Sequence, residues 1–173
     1  MNEPAIPSSV HALIVMGVAG SGKTTIAEAL AARLGWRFED GDTFHPANNV
    51  EKMRSGRALT DEDRWPWLRA IAAEVDRTRE ARGHIVIACS ALKRIYRNIL
   101  IGKRTGVRLI YLKGSRELIL QRLRARRGHF MPPELLDSQF ATLEEPGHDE
   151  NAVVVDVAVA VDAIVDDIVR QLR

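Results

Sequence analysis

One eight-residue stretch, GVAGSGKT at positions 17–24, constrains the fold of this chain more than any other. It matches the pattern G-x-x-x-x-G-K-[ST] in full, follows an apolar run at 12–16 and precedes a helical pattern at 24–34. In that context the glycines let successive backbone N–H groups face inward at the beginning of a helix, which makes a nest for anions. A glycine-rich turn that matched by chance would lack this context. The stretch therefore predicts a loop that binds the phosphates of a nucleoside triphosphate.

Two side chains of this loop have predicted roles of their own. Lys23 would contact the β- and γ-phosphates, and the hydroxyl group of Thr24 would ligate Mg²⁺. The predicted nucleotide-binding residues of the loop and of the helix that follows are Gly17, Val18, Ala19, Gly20, Ser21, Gly22, Lys23, Thr24 and Thr25.

Apolar runs of strand length alternate with helical patterns along the chain. Strands are predicted at 12–16, 36–39, 84–89, 107–112 and 152–155. Helices are predicted at 24–34, 46–55, 92–101, 116–126 and 162–172, and a long one up to 81, with a capping box at 60–63 and Pro66 in its first turn. Strands that are apolar throughout favour a parallel sheet with helices on both faces. The predicted fold is therefore a doubly wound, five-stranded α/β domain of the P-loop NTPase type, with its ligands at the carboxyl ends of the strands.

Length and composition limit the class of protein. The 173 residues suit one domain, which we place at 1–173. With 25 basic and 23 acidic residues the net charge is +2, which argues against a nucleic-acid partner. A single cysteine, Cys89, fits a reducing compartment and is expected in the core, while an N-terminus without a basic region argues against a signal peptide or membrane span. We expect a cytoplasmic protein.

Three classes of nucleotide-binding protein then compete. A GTPase switch would carry N-K-x-D and D-x-x-G, and neither string occurs in the sequence. A motor ATPase would carry an acid at the end of a buried strand, but the strand at 84–89 is followed by Ser90 and Ala91. A small-molecule kinase needs a second pocket with a carboxylate near the acceptor hydroxyl and cations around it. The remaining polar residues are consistent with that third class.

The stretch FEDGDTFHPANN at 38–49 places two carboxylates just after the second predicted strand. Asp40 could hold the hydration shell of Mg²⁺, and Asp42 could orient or deprotonate the acceptor hydroxyl. The alternative is an ordinary Asp-Gly surface turn. The complete phosphate loop and the lack of an acid after the buried strand at 84–89 favour the functional interpretation.

Further polar residues suit an anionic acceptor, because cations in a phosphoryl-transfer cleft would neutralise a carboxylate. Lys93 and Arg97 are four residues apart and are expected to share a helix face. His45, Asn48 and Lys52 are likewise expected to share one face of a short helix. Each of these could instead be solvated surface. The candidate acceptor-binding residues are Asp42, His45, Asn48, Lys52, Arg64, Ser90, Lys93 and Arg97.

An arginine-rich run, RLRARR at 122–127, precedes a segment at 127–147 that contains several glycines and prolines. One interpretation is a mobile lid with one or two helical turns, whose arginines close on the phosphates. A nucleic-acid patch is a second, and a solvated helix face, which we favour for Arg124, is a third. Tryptophans 65 and 67 are expected to pack in the core.

Six strings together resemble the bacterial-type gluconate kinases over about residues 17–150: GVAGSGKT, DGDTFHPANNVEKMRSGRALTDEDRWPWL, CSALKRIYR, YLKG, RLRARRGHF and SQFATLEEP. The resemblance implies the P-loop kinase core that is also found in shikimate and nucleoside monophosphate kinases. It implies phosphorylation of D-gluconate at the 6-hydroxyl by ATP with Mg²⁺, and frequent homodimers. Another small hydroxy acid such as shikimate, or a regulatory nucleotide-binding module without an acceptor, remain the alternatives.

The resemblance also implies roles for individual positions. Residues 17–24 would bind phosphate, Asp40 would lie on the metal side, and Asp42 would lie beside the acceptor hydroxyl, as in the related shikimate kinases. The HPANN and CSALK strings would line the gluconate pocket. Residues 122–129 would contact the nucleotide and form part of the lid, with Arg122 as a nucleotide-binding residue and Arg126 as the catalytic arginine. Together with Lys23 and Mg²⁺, that arginine would spread the charge of the γ-phosphoryl group during direct in-line transfer.

Overall fold

A sheet of five parallel strands forms the centre of the molecule. The computed structural model describes residues 5–126 and 133–173. The strands are β1 (Ala12–Met16), β2 (Arg37–Asp40), β3 (Ile85–Ala88), β4 (Val107–Lys113) and β5 (Val153–Asp156), in the spatial order β2-β3-β1-β4-β5. Every pairing is parallel, and every residue of β1 is buried. The predicted five-stranded parallel sheet is confirmed.

Helices cover both faces of this sheet. They are α1 (Lys23–Leu34), α2 (Ala47–Arg54), α3 (Asp61–Glu80), α4 (Arg94–Leu100), α5 (Arg116–Ala125), α6 (Pro133–Thr142) and α7 (Val161–Leu172). One apolar core contains α1 and α7, and the other contains α3 and α4. Successive β1 side chains alternate between the two cores, because neighbouring side chains of a strand point to opposite faces. The doubly wound arrangement follows from strands that are apolar on both faces.

The long helix α3 shows how local sequence fixes an element of the site. Thr60 Oγ1 accepts a hydrogen bond from the backbone N–H of Asp63 at 3.1 Å, and the Asp63 carboxylate accepts one from the backbone N–H of Thr60 at 2.8 Å. This is the predicted capping box, which satisfies backbone donors that the first turn leaves unpaired. Pro66 lies within the helix and not in its first turn, because the helix begins at Asp61.

Most predicted boundaries agree with the structure to within one residue, and two predictions differ by more. Helix α4 begins at Arg94, two residues later than predicted, because Leu92 and Lys93 belong to the turn after β3. The segment predicted as a mobile lid contains the ten-residue helix α6, which is longer than one or two turns. Positions 127–132 of that segment lie outside the described residues. Within the described ranges, no helix is long and apolar enough to cross a bilayer.

Candidate active site

Three neighbouring strands bring the candidate residues to one edge of the sheet. Strand β1 runs into the phosphate loop, β2 ends at Asp40, and β3 ends at Ala88, which pairs with both Asp40 and Val15. A cavity lies at this edge. It is lined by Ala19, Lys23, Thr24, Asp40, Asp42, Ala88, Cys89, Ser90 and Gln139. The structure thus places the lysine of the phosphate loop, both carboxylates of the Asp-Gly-Asp turn and Ser90 in one space, which we call the transfer cavity.

The phosphate loop has the backbone that its glycines permit. Gly20 and Gly22 adopt φ values of +81° and +91°, in the left-handed region that favours glycine. Gly22 is the N-cap of α1 and provides no side-chain acceptor, so the N–H groups of the first turn are left for a ligand. Lys23 Nζ donates to the carbonyl oxygen of Val18 at 3.1 Å. Burial lowers the pKa of Lys23, and the neighbouring carboxylates Asp40 and Asp42 oppose this shift.

The Asp-Gly-Asp turn is held by its own backbone and by β3. Asp40 Oδ1 accepts a hydrogen bond from the N–H of Asp42 at 2.9 Å, and Trp67 Nε1 donates to the carbonyl oxygen of Gly41 at 2.8 Å. A Cβ atom at Gly41 would lie 2.5 Å from the carbonyl oxygen of Ala88. Glycine is therefore needed for close packing against β3, and its φ is not positive. Within the described part of the chain, no group donates a hydrogen bond to the Asp42 carboxylate.

Thr24 and Asp40 are the side chains that could hold a magnesium ion in this cavity. Asp40 uses Oδ1 for the turn, which leaves Oδ2 without a partner among the described residues. No group of three or more acidic, histidine or cysteine side chains with metal-binding geometry occurs in residues 5–126 and 133–173. Mg²⁺ in nucleotide enzymes commonly takes one or two protein oxygens and completes its shell with phosphates and water. The hydroxyl and carboxylate present here fit that requirement.

A second cavity, which we call the base-side cavity, opens on the other side of the phosphate loop. Its lining includes Gly20, Ser21, Gly22, Thr25, Ile26, Arg122, Leu123, Arg126, Val159, Val161 and Ile164. Val159 and Val161 are exposed apolar residues, and they face a space that also contains two arginines. Such a lining suits a flat aromatic base beside phosphates. Neither valine was among the residues predicted from the sequence, although the apolar stretch after the last strand was a possible signal.

The arginines of the 122–127 run differ in their surroundings: one is hydrogen-bonded within the protein and two are exposed. Arg122 Nη2 donates to the carbonyl oxygen of Val157, which fixes its guanidinium beside the base-side cavity. Arg126 is exposed and lines the same cavity, immediately after the end of α5. Arg124 is exposed as well. The last arginine of the run, at position 127, lies outside the described residues.

A polar cluster at the beginning of α3 contains two of the predicted acceptor-binding cations. The Asp61 cluster consists of Asp61, Arg64, Lys93 and Tyr96. Lys93 Nζ donates to Asp61 Oδ1 at 3.2 Å, and the Tyr96 hydroxyl donates to the same oxygen at 2.5 Å. Arg64 Nη1 lies 3.3 Å from that hydroxyl oxygen and donates to it. Hydrogen bonding to Asp61 raises the pKa of Lys93, so the cluster carries two positive charges and one negative charge.

The 45–52 stretch is arranged differently from the prediction. His45 precedes α2 and stacks on Trp67 with ring centroids 4.1 Å apart, so it does not share a helix face with Asn48 and Lys52. Burial lowers the pKa of His45, which favours its neutral form. Asn48 is exposed, and Lys52 Nζ donates to Asp63 Oδ2 at 2.6 Å.

The buried amide of this region is Asn49, which the sequence analysis did not select. Asn49 Nδ2 donates to the carbonyl oxygen of Asp63 at 2.8 Å and lies 3.3 Å from His45 Nδ1. It therefore connects α2 to the beginning of α3 and helps to fix the orientation of the His45 ring.

Arg97 is a correction to the predicted acceptor set. Its side chain is 1% exposed, and Nε and Nη2 donate to the two carboxylate oxygens of Glu150 at 2.6 and 3.1 Å. Nη1 donates to the carbonyl oxygens of Ala91 and Leu92. All of its nitrogen atoms are thus used inside the protein. The expected shared face with Lys93 does not exist, because Lys93 is the N-cap of α4.

The buried arginine has a structural effect on the turn after β3. Ala91 adopts a φ of +46°, which is unfavourable for a residue with a side chain. Two hydrogen bonds from Arg97 to the carbonyl oxygens of Ala91 and Leu92 stabilise this turn, and the turn presents Ser90 to the transfer cavity. Arg97 therefore shapes the site without facing it.

Two further side chains of the transfer cavity have distinctive environments. Cys89 is buried, as expected for a core residue, and desolvation raises the pKa of its thiol to about 12. Gln139 of α6 accepts a hydrogen bond from the backbone N–H of Ala19 at 2.6 Å through Oε1. The sequence analysis did not select Gln139, because it lies in the stretch interpreted as a lid.

Comparisons with known proteins find similar kinases. The family model described as "Shikimate kinase" matches residues 19–173. A gluconokinase of Gluconobacter oxydans (strain 621H) is 46% identical over 162 residues, covering 93% of this chain and 90% of the relative. The thermoresistant gluconokinase of Escherichia coli (strain K12) is 42% identical over 167 residues, covering 94% of each chain.

Solved structures give the same picture. A gluconokinase from Sinorhizobium meliloti 1021 superposes with a TM-score of 0.85 at 40% identity, covering 98% of this chain and 93% of its own. The shikimate kinase of Aquifex aeolicus has a TM-score of 0.62 at 14% identity, covering 93% of this chain and 95% of its own, and shares the fold.

Proposed function

The chain belongs to the shikimate kinase family and matches gluconokinases over most of its length, and on that premise we propose that its phosphorylation of gluconate with ATP takes place at the 6-hydroxyl of D-gluconate. The products are 6-phospho-D-gluconate and ADP. The observation that carries the proposal is one cavity that joins the phosphate loop to Asp42, whose carboxylate accepts no hydrogen bond from residues 5–126 or 133–173.

The acceptor side supports an acidic polyol as substrate. The Asp61 cluster has an excess of positive charge from Arg64 and Lys93, which suits one carboxylate. His45, Asn48 and Ser90 offer neutral groups for hydroxyls. Gluconate presents one carboxylate and several hydroxyls, so its chemistry matches both parts.

The residues of the transfer cavity would perform a direct in-line transfer. The acceptor oxygen forms a bond to the γ-phosphorus while the bond from that phosphorus to the bridging oxygen of ATP breaks, and its electron pair leaves with ADP. Asp42 orients the acceptor hydroxyl and takes its proton. Lys23 and Arg126 neutralise negative charge on the phosphoryl group as it moves.

Thr24 and Asp40 are the proposed protein ligands of Mg²⁺. When bound, the ion neutralises charge on the phosphate oxygens of ATP. Thr24 lies in the first turn of α1 and Asp40 at the end of β2, and their assignment to the ion leaves Asp42 for the acceptor.

A coupled assay of ADP release with gluconate, shikimate or AMP as acceptor tests the proposal. We expect turnover with gluconate and little with the other two acceptors. Faster turnover with shikimate, whose name the matching family model carries, would mean that shikimate and not gluconate is the substrate. Turnover that needs no acceptor, or no turnover at all, would favour a nucleotide-binding module and contradict the kinase.

We further propose a cytoplasmic homodimer, on the basis of the family resemblance and of a free cysteine that suits a reducing compartment. Light scattering during size-exclusion chromatography measures the mass directly. A mass near 19.3 kDa would be that of a monomer and would contradict the dimer.

A further inference from the structure

Helix α6 is fixed between the two halves of the site. Leu136 is fully buried in a small apolar cluster with Val18 of the phosphate loop and Leu92 of the turn after β3. Phe140 and Leu143 pack against the same cluster. A helix anchored to both loops holds any polar side chain on its inner side at a defined position between them.

Gln139 is that side chain, and its hydrogen bond determines how its amide is oriented. The backbone N–H of Ala19 donates to it at 2.6 Å, so the atom that faces Ala19 must be the oxygen Oε1. The NH₂ group is consequently on the other side of the amide. No residue in 5–126 or 133–173 accepts a hydrogen bond from that NH₂ group.

Ala19 lies at the acceptor end of the phosphate loop. It lines the transfer cavity together with Asp42 and Ser90, whereas Gly20 and Gly22 line the base-side cavity. Gln139 lines the same cavity, so its side chain borders the space in which a phosphoryl group would leave the loop for an acceptor beside Asp42.

We propose that Gln139 is a catalytic residue that donates a hydrogen bond from its NH₂ group to the γ-phosphoryl group, before and during transfer. Its oxygen remains bonded to Ala19, which holds the amide in one orientation. A fixed neutral donor stabilises developing negative charge without reorganisation, which is the arrangement that lowers such barriers most. This inference rests on the proposed function for the identity of the acceptor. The contact between Gln139 and the γ-phosphate does not depend on which acceptor is used.

Two substitutions separate this role from a structural one. Gln139→Glu keeps an acceptor for the Ala19 N–H and replaces the donor by a negative oxygen, whereas Gln139→Leu removes both. We expect kcat with gluconate to fall by about 10²-fold or more for Gln139→Glu and by about 10-fold for Gln139→Leu. If Gln139 only fastened the loop, the order would be reversed, with Gln139→Glu close to wild type.

Binding measurements test the contact without an acceptor. We expect Gln139→Glu to weaken binding of a non-hydrolysable ATP analogue by about 10-fold and to leave ADP binding nearly unchanged, because ADP lacks the γ-phosphate. Equal effects on both nucleotides would overturn the inference. If the wild-type chain fails to phosphorylate gluconate but shows this selective loss, the proposed function fails while the contact stands.

Gln171→Glu is the matched control, since it makes the same chemical change at the exposed end of α7. It should behave as wild type in both assays. Thermal midpoints of all variants identify any that are poorly folded, and Gln139→Asn, which keeps an amide on a shorter side chain, should recover more activity than Gln139→Glu.

Discussion

The two halves of the proposed site, one for the nucleotide and one for the acceptor, are built in different ways. The nucleotide half depends on one contiguous stretch, 17–25, whose donors are mainly backbone N–H groups at the beginning of α1. The acceptor half collects side chains from the Asp-Gly-Asp turn, the beginning of α3 and the turn after β3. The backbone nest depends on the glycines of one loop, whereas the dispersed set depends on the tertiary contacts that hold it.

The cations of the two halves also have different partners. On the nucleotide side, Lys23 and Arg122 donate to carbonyl oxygens, which leaves their charge for phosphates. On the acceptor side, Lys93 is paired with Asp61 and Lys52 with Asp63. A substrate carboxylate must therefore compete with a protein carboxylate, which favours acceptors whose remaining groups also fit.

Among the predicted effects, the largest should come from breaking the buried ion pair between Arg97 and Glu150, which stabilises the fold around the acceptor half. In Glu150→Gln a guanidinium that is 1% exposed loses its charged partner. We expect the free energy of unfolding to fall by about 3–5 kcal/mol, measured by urea denaturation. Glu80→Gln, at the exposed end of α3, is the matched control and should behave as wild type. A wild-type midpoint for Glu150→Gln would show that the turn after β3 does not need this pair.

The Asp42→Asn substitution should impair phosphoryl transfer and leave nucleotide binding intact. It removes the proposed proton acceptor and leaves the backbone nest unchanged, so we expect kcat to fall by about 10²-fold or more while ADP binds as before. Asp166→Asn on α7 makes the same change at an exposed position. Near wild-type turnover of Asp42→Asn would return Asp42 to the role of a surface turn.

Lys93→Ala should weaken the binding of gluconate without affecting the binding of ATP. We expect the KM for gluconate to rise by about tenfold, the usual scale for one charged hydrogen bond, while the KM for ATP is unchanged. Lys103→Ala, in the exposed turn after α4, is the control. If the gluconate KM does not change, Lys93 has no part in binding the carboxylate.

The smallest effect concerns pH and the contact between α2 and α3. A hydrogen bond from Lys52 lowers the pKa of Asp63 from 3.8 to about 2. Because the folded pKa lies below the unfolded value, this stabilisation is present above about pH 4 and is lost as the pH falls towards 2. Urea midpoints measured across that range should fall less steeply for Asp63→Asn than for wild type. Parallel curves would exclude Asp63 as a contributor.

Much of the nucleotide half could be predicted because its signal is local. The loop at 17–24 carries its strand and helix context in adjacent residues, and the alternation of apolar runs was sufficient for the five-stranded parallel sheet. The position of Asp40 and Asp42 at a strand end also followed from local pattern.

The acceptor half could be predicted only in outline because its determinants are distant in sequence. Nothing near Arg97 indicates that its partner is Glu150, so a cation in a helix looked like a ligand. Gln139 gave no signal either, because its contact with Ala19 spans 120 positions and α6 lies in a stretch with glycines and prolines. His45 was misplaced because the helix begins after it.

The environment of Cys89 has a consequence for how this protein should respond to oxidants and alkylating agents. Its sulfur lies in the wall of the transfer cavity, yet the side chain is 2% exposed and its thiol has a pKa of about 12. Since the thiolate is the form that reacts with peroxide or iodoacetamide, almost none is present at neutral pH. We therefore expect peroxide and iodoacetamide to have little effect on turnover at neutral pH, although Cys89 lines the transfer cavity.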